Sequence, residues 1–266
     1  MTISIIQMSL ISKANARKLI EKYCLEKPEE INLPNIIYAE NLVLKEEELD
    51  SCEGKIIFDM EKGIVTINNK IKEQTQKNFV MAHELGHFIN EALTKPLPKG
   101  EAVFKCGFED FYGKGKTLET DANDFAAELL MPENWMIKAV RGKMLNGRLI
   151  EDTAKYFNVS LTAAAIRYSE VGTRECAVIL SKDGFVKWSS INKSFKYLFI
   201  RPKSKINSLS YTYDFFNGSA IPNTEEEIPA EAWFNECYNI DKKDKVYEYN
   251  VPMPRYNSVL SLIWMR

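Results

Sequence analysis

Two histidines and a glutamate stand close together in the segment NFVMAHELGHFIN, residues 78–90. His83 and His87 are four positions apart, and the chain contains no other histidine. On a helix, this spacing places both imidazoles on one face, one turn apart, where they can bind one tetrahedral zinc ion. Glu84 lies beside that face, where its carboxylate can reach zinc-bound water without replacing a ligand. The pattern therefore predicts a zinc site with Glu84 as the general base.

The residues around the motif favour this interpretation over a chance match. Ala82, Leu85, Gly86 and Phe88 carry no charge, which predicts a buried helix with little water near the metal. Glycine is less favourable than alanine inside a helix by about 1 kcal/mol. We therefore expect another backbone to pack closely against the helical turn at Gly86.

The third zinc ligand should come from a segment that follows the motif. Zinc hydrolases usually use three protein ligands and leave a fourth position open. Since no third histidine exists, we expect a carboxylate, and LETDANDFAAELLMP offers Glu119, Asp121, Asp124 and Glu128. Helical spacing places Glu119 and Asn123 on one face, so Glu119 would bind zinc and Asn123 would hydrogen-bond a ligand. Asp121 is the alternative ligand. Asp124 and Glu128 are interpreted as acidic residues that complement the helix dipole.

The two segments together resemble the ImmA/IrrE family of zinc metallopeptidases. The family pattern is HELGH followed by E-x-x-A-N-x-F-A-x-x-L-L-M-P, and this chain reads AHELGH and ETDANDFAAELLMP. The resemblance covers most of residues 55–172. It implies a gluzincin site in which His83, His87 and Glu119 bind zinc and Glu84 is the general base. It also implies an endopeptidase whose protein substrate is a helix-turn-helix repressor of a mobile element, a phage or a stress regulon.

Composition bounds the class of protein and its surroundings. The chain has 266 residues, of which 45% are apolar and 27% charged, which is typical of a soluble globular protein. A net charge of −2 provides no general attraction for nucleic acid or for anionic membranes. Five scattered cysteines without a C-x-x-C pair are typical of a reducing compartment. We expect a cytoplasmic protein that binds neither membranes nor, directly, nucleic acid.

Periodicity divides the chain into two parts. In residues 1–172, GKIIFDM and IVTINNK predict a hairpin, and helices are expected at about residues 72–93 and before Pro132. Residues 94–117, rich in glycine and proline, predict a loop-rich insertion.

In residues 173–266, strands are expected on both sides of a turn at Asp183–Gly184, at SFKYLFIRP and at SVLSLIWM. IPAEAWF is either a short helix or a strand edge. We therefore expect an α+β protein with a helix-rich, zincin-like metallopeptidase domain at 1–172 and a strand-rich domain at 173–266 that selects substrate or senses a signal.

Two other functions remain open from the sequence. Residues 148–172 have the pattern of a helix-turn-helix with its turn at Asn158, which would indicate a DNA-binding regulator. Its second helix carries three alanines and an isoleucine at 163–166, which suit packing better than contacts with bases. The other alternative is a non-proteolytic adaptor with a structural zinc, although such sites usually have four protein ligands.

Overall fold

A computed structural model of the protein describes residues 5–50, 52–58, 62–94, 102–106 and 118–265. The chain forms two compact units, and the first consists of Met1–Trp135 and Tyr156–Ser160. The second consists of Met136–Lys155 and Leu161–Arg266. Each unit contains its own sheet, so the expected α+β class is confirmed. The boundary between functional domains at residue 172 stays a prediction. In the structure, packing groups residues 136–155 and 161–172 with the second unit.

The first unit packs helices against a mixed sheet. Its elements are α1 (Ile5–Lys22), α2 (Leu33–Ala39), β1 (Leu42–Glu47), β2 (Gly54–Phe58), β3 (Gly63–Asn68), α3 (Gln74–Thr94), β4 (Ala102–Cys106) and α4 (Leu118–Leu130). The strand order is β1-β3-β2-β4, in which β1 and β3 are parallel and the other pairs are antiparallel. The predicted hairpin is therefore confirmed as β2 and β3.

Strand β4 is a difference from the sequence-based expectation. It lies inside residues 94–117, where glycines and prolines predicted mainly loop, and it pairs with the edge of β2 from Gly54 to Phe58. Strand pairing satisfies the backbone groups of this short segment without requiring a long apolar run. Thr94, at the start of the predicted insertion, is the last residue of α3. The rest of the insertion, residues 95–101 and 107–117, lies outside the described residues.

The remaining elements form a second, antiparallel sheet with helices before and between its strands. In chain order they are α5 (Glu133–Val140), α6 (Gly147–Phe157), α7 (Leu161–Val171), β5 (Cys176–Lys182), β6 (Phe185–Ile191), α8 (Tyr211–Phe216), β7 (Glu226–Pro229), α9 (Glu231–Phe234), β8 (Lys245–Met253) and β9 (Ser258–Trp264). The strand order is β6-β5-β9-β8-β7. The central strand β9 is buried along its whole length, which confirms the buried strand expected at SVLSLIWM.

Two predictions about this sheet had different outcomes. The turn between β5 and β6 is confirmed, with φ of 52° at Asp183 and 81° at Gly184, the left-handed conformations that a tight hairpin requires. The strand predicted at SFKYLFIRP is wrong, since this segment is irregular. Its alternating apolar residues Phe195 and Tyr197 instead pack around Phe234 of α9. IPAEAWF forms both a strand end and a helix, β7 and α9.

None of the helices in the described part of the chain combines the length and apolar character that a bilayer crossing requires.

Candidate metal centre

Helix α3 holds the histidine motif in the core of the first unit. Val80, Ala82 and Leu85 are fully buried, so the helix is enclosed on several sides. Phe88 packs edge-on against Phe58 of β2, with ring centroids 5.3 Å apart. A helix that is apolar around most of its circumference has little freedom to rotate without exposing apolar surface. The imidazoles that it carries are therefore held in one orientation.

Helix α4 approaches α3 at a glycine. A methyl group built on Gly86 would lie 3.0 Å from Cδ1 of Phe125 and 3.2 Å from Cα of Ala122. These separations are shorter than ordinary contacts between carbon atoms, so a side chain at position 86 would push α4 away. The close backbone expected at this turn is thus confirmed. The approach brings the first turn of α4, with Glu119, to the face of α3 that carries the histidines.

Three side chains converge between α3 and α4. The Nε2 atoms of His83 and His87 are 3.0 Å apart. Oε2 of Glu119 lies 3.0 Å from Nε2 of His83 and 3.4 Å from Nε2 of His87. His83 is fully buried and His87 is 1% exposed, whereas the Glu119 side chain is 24% exposed. The cluster is therefore enclosed by protein on the histidine side and partly open at Glu119.

Asn123 contacts the outer nitrogen of the first histidine. Its Oδ1 is 2.8 Å from Nδ1 of His83. Because a carbonyl oxygen can only accept, this contact favours the tautomer in which Nδ1 of His83 carries the proton and donates it. The lone pair of Nε2 then points into the cluster. Asn123 thus lies where a side chain that orients a metal ligand would lie, and its role stays a prediction.

The surroundings favour the charged form of Glu119. Burial by itself would raise the pKa of this carboxyl group. The nearby imidazole groups of His83 and His87 favour the charged carboxylate, outweigh burial and lower the pKa of Glu119 to about 2. The carboxylate is therefore ionised throughout the neutral range, which is the state that a metal ligand needs.

The cluster fits a zinc ion. The ligand atoms of His83, His87 and Glu119 all lie within 4.8 Å of one another. Tetrahedral zinc with ligands at about 2.1 Å separates those ligands by about 3.4 Å. The separations of 3.0, 3.0 and 3.4 Å are close to that value. Two imidazole nitrogens and a carboxylate oxygen are also a donor set that catalytic zinc uses.

Glu84 occupies a different side of α3. It is fully buried. A methyl group built on Gly54 of β2 would lie 2.5 Å from Oε1 of Glu84, so the carboxylate reaches the backbone of the sheet. The sequence offered no sign of this contact, because Gly54 is separated from the motif by a hairpin and is adjacent to it only in the folded unit. The general-base role of Glu84 stays a prediction.

The other acidic residues of α4 have separate contacts. Asp121 is not part of the convergent group. Asp124 lies 3.7 Å from Nζ of Lys13 on α1. Glu128 is 1% exposed and accepts a hydrogen bond of 2.7 Å from Nε of Arg17. Sequence reasoning missed this role for Glu128, since only the tertiary packing of α1 on α4 brings the arginine to it.

The helix-turn-helix pattern corresponds to α6 and α7. The turn residue Asn158 has φ of 51°. In α7, the residues that face inward include both small and large side chains: Ala164, Ala165, Arg167, Tyr168 and Ser169 are buried. A recognition helix must present its side chains to bases, so the burial of α7 disfavours this use.

Comparisons with known proteins agree with the geometry. A family model described as Peptidase_M78, IrrE N-terminal-like domain, matches residues 41–169, which include both histidines and Glu119. A solved structure described as a Mycobacterium tuberculosis transcriptional regulator has a similar fold, with a TM-score of 0.57 and 13% sequence identity. That likeness covers 95% of this chain and 75% of the other, and at such identity it concerns the fold alone. No curated protein matches the chain significantly. Residues 41–169 are thus similar to the IrrE N-terminal-like domain of a peptidase family, and this match supports the resemblance of the chain to the ImmA/IrrE family.

Proposed function

We propose that the protein is a zinc-dependent endopeptidase that hydrolyses a peptide bond in a partner protein. The convergence of Nε2 of His83, Nε2 of His87 and Oε2 of Glu119 within a peptidase-family domain carries this proposal. Three ligands leave one position of a tetrahedral ion for water or substrate, as a catalytic site requires. A structural site would more often close with a fourth ligand.

Each residue has a defined task in this reaction. His83, His87 and Glu119 hold the ion, and Asn123 keeps the proton of His83 on Nδ1 so that Nε2 can bind. When bound, zinc supplies Lewis-acid chemistry, because it polarises the scissile carbonyl and acidifies water. The Glu84 carboxylate takes a proton from the attacking water and returns it to the leaving amine. Burial of α3 keeps other water away from the reacting groups.

The substrate class follows from the family. We infer that the cleaved protein is a helix-turn-helix transcriptional repressor of a mobile element, a phage or a stress regulon, and that cleavage takes place in the cytoplasm. The similar fold of a protein described as a transcriptional regulator is compatible with a role in transcriptional control. The strand-rich residues 173–266 would select the substrate or sense the activating signal.

A cleavage screen tests the proposal. The zinc-loaded protein and Glu84→Gln would each be incubated with a peptide library made from a bacterial proteome, and new N-termini would be identified by mass spectrometry. We expect a specific set of cleavages with the native protein and at least a 100-fold slower rate with Glu84→Gln, because general bases contribute about 10²–10⁴ in rate. Equal cleavage by both proteins would contradict the proposal.

The same proteins separate the two alternatives. An adaptor with structural zinc would bind zinc and cleave nothing, and Glu84→Gln would then be indistinguishable from the native protein. A DNA-binding regulator would retain sequence-selective DNA in a filter assay at moderate salt. The burial of Arg167 and its neighbours on α7 argues against the second outcome.

A further inference from the structure

Helix α3 is confined by a second glycine, on the side of the sheet. Gly54 is the first residue of β2 and lies against Val80 and Glu84. A methyl group built on Gly54 would lie 2.5 Å from Cγ1 of Val80, 2.5 Å from Oε1 of Glu84 and 3.1 Å from Cγ of Glu84. Carbon atoms in contact are normally about 3.5–4.0 Å apart. Glu84 thus occupies space that any other residue at position 54 would fill.

The strand cannot move aside to make room. Gly54 is paired with Ile67 of β3 on one side and with Cys106 of β4 on the other. On the helix, Val80 and Glu84 are both fully buried. The carboxylate of Glu84 is the end of a rotatable side chain, whereas the valine is stiff. An added methyl group would therefore displace the Glu84 carboxylate.

We propose that Gly54 is a positioning residue for Glu84: the missing side chain allows the carboxylate to lie against β2, where it acts as the general base. This inference rests on the proposed function. A base must be within hydrogen-bond reach of the proton that it takes, and a displacement of about 1 Å can lower turnover about 100-fold. His83 and His87 face α4 instead, so the metal ligands do not depend on Gly54.

The first test is Gly54→Ala, assayed with a quenched fluorescent peptide copied from a cleavage site found in the screen. We expect kcat to fall about 100-fold, whereas KM and the zinc Kd change by less than about threefold. A purely structural role would instead reduce zinc binding and the folded fraction together. An unchanged kcat per folded molecule would overturn the inference.

A substitution at Val80 distinguishes the effect of the carboxylate position from the effect of the distance between helix and sheet. Val80→Ala removes the contact at Cγ1 and leaves the contact with Glu84. Gly54→Ala/Val80→Ala should therefore be more stable to heat than Gly54→Ala but keep a kcat about 100-fold below that of Val80→Ala. Recovery of kcat to the Val80→Ala value would overturn the inference, because helix spacing would then be the cause.

A measurement without substrate distinguishes failure of this inference from failure of the proposed function. In the Val80→Ala background, Gly54→Ala should lower Tm by about 4 °C or more with Glu84 present and by much less with Glu84→Ala. Equal Tm shifts in the two backgrounds would overturn the contact itself. Coupled shifts in a protein that cleaves no peptide would instead overturn the proposed function and, with it, the catalytic part of the inference.

Gly63 provides the matched control. It is a strand glycine of the same sheet, and a methyl group built on it would lie 2.6 Å from Cβ of Phe58 and 2.7 Å from the carbonyl oxygen of Ile57. These neighbours are not site residues. Gly63→Ala should lower Tm and leave kcat per folded molecule unchanged. A loss of kcat equal to that of Gly54→Ala would indicate general distortion of the sheet and would contradict a specific role for Gly54.

Discussion

Two carboxylate clusters, one in each unit, differ in the chemistry of their partners. In the second unit, Glu248 of β8 is 1% exposed. It accepts hydrogen bonds from Oγ of Ser210 at 2.6 Å, the backbone N–H of Tyr211 at 2.9 Å and Nε1 of Trp233 at 3.0 Å. In the first unit, Glu119 meets two imidazole nitrogens instead.

The difference indicates which cluster needs a cation. Around Glu248, hydroxyl, amide and indole groups donate to the carboxylate, so the protein itself provides its hydrogen-bond partners. Around Glu119, the convergent atoms are all of the kinds that bind metals, and the tautomer favoured by Asn123 directs the lone pair of His83 inward. We propose that the first cluster holds an ion and that the second contributes stability. The following predictions test that distinction, from the largest expected effect to the smallest.

Removing the carboxylate ligand should have the largest effect. Glu119→Ala leaves two histidines for zinc, so we expect the zinc Kd, measured by competition with a chelator, to rise more than 100-fold. Loss of a side chain that only hydrogen-bonds a ligand typically raises the Kd by about 10–100-fold. Asp124→Ala is the matched control on the same helix and should retain the native Kd. Zinc retained equally by both variants would exclude Glu119 as a ligand.

Removing the partner of His83 should have a smaller effect on the same quantity. Asn123→Ala no longer holds the Nδ1 proton, and we expect the zinc Kd to rise by about 10–100-fold. Asn123→Asp keeps an oxygen acceptor at that position and should restore most of the affinity. If the alanine variant binds zinc as tightly as the native protein, the contact of 2.8 Å does not orient the ligand.

Breaking the cluster of the second unit should affect stability and not zinc. Glu248→Ala leaves buried donors without their acceptor, so we expect the free energy of unfolding to fall by about 3 kcal/mol, with the zinc Kd unchanged. The exposed carboxylate of Glu227, which pairs with Lys245, provides the control. Glu227→Ala should change stability by less than about 1 kcal/mol. Loss of zinc in Glu248→Ala would contradict the separation of the two clusters.

The pH dependence of stability should also distinguish the clusters. Burial raises the pKa of Glu248, and its hydrogen-bond donors offset this only in part. A carboxyl group with a raised pKa in the folded state contributes stability at low pH that is lost as pH rises through that pKa. Between the ordinary value of 4.5 and the raised pKa, the native protein should lose more stability with rising pH than Glu248→Gln. The free energy of unfolding would be measured with urea at several pH values. An equal change with pH in the two proteins over this range would contradict the assignment.

Local patterns predicted much of the fold and of the candidate site. The four-residue spacing of His83 and His87 predicted their convergence, because helical geometry alone sets it. The Asp183–Gly184 turn was also predictable from the local sequence, since few dipeptides favour two consecutive left-handed conformations. The clustering of Glu119 with the histidines required the packing of α4 on α3, for which Gly86 was the available signal.

Other features depend on contacts that are distant along the chain. The alternation of Phe195 and Tyr197 predicted a strand, yet these rings pack around Phe234 and the segment has no neighbouring strand to pair with in the described sheet. Gly54 gave no local sign of its contact with Glu84. Such roles arise from tertiary packing, which periodicity does not encode.

The most direct test of the central claim is the zinc content of the purified native protein. The protein would be loaded with zinc and freed of excess metal by gel filtration. Its zinc content would then be measured by inductively coupled plasma mass spectrometry. The cluster of His83, His87 and Glu119 predicts about one zinc per chain. A content near zero after loading would contradict the account, because neither Glu84 nor Gly54 has a catalytic task without the ion.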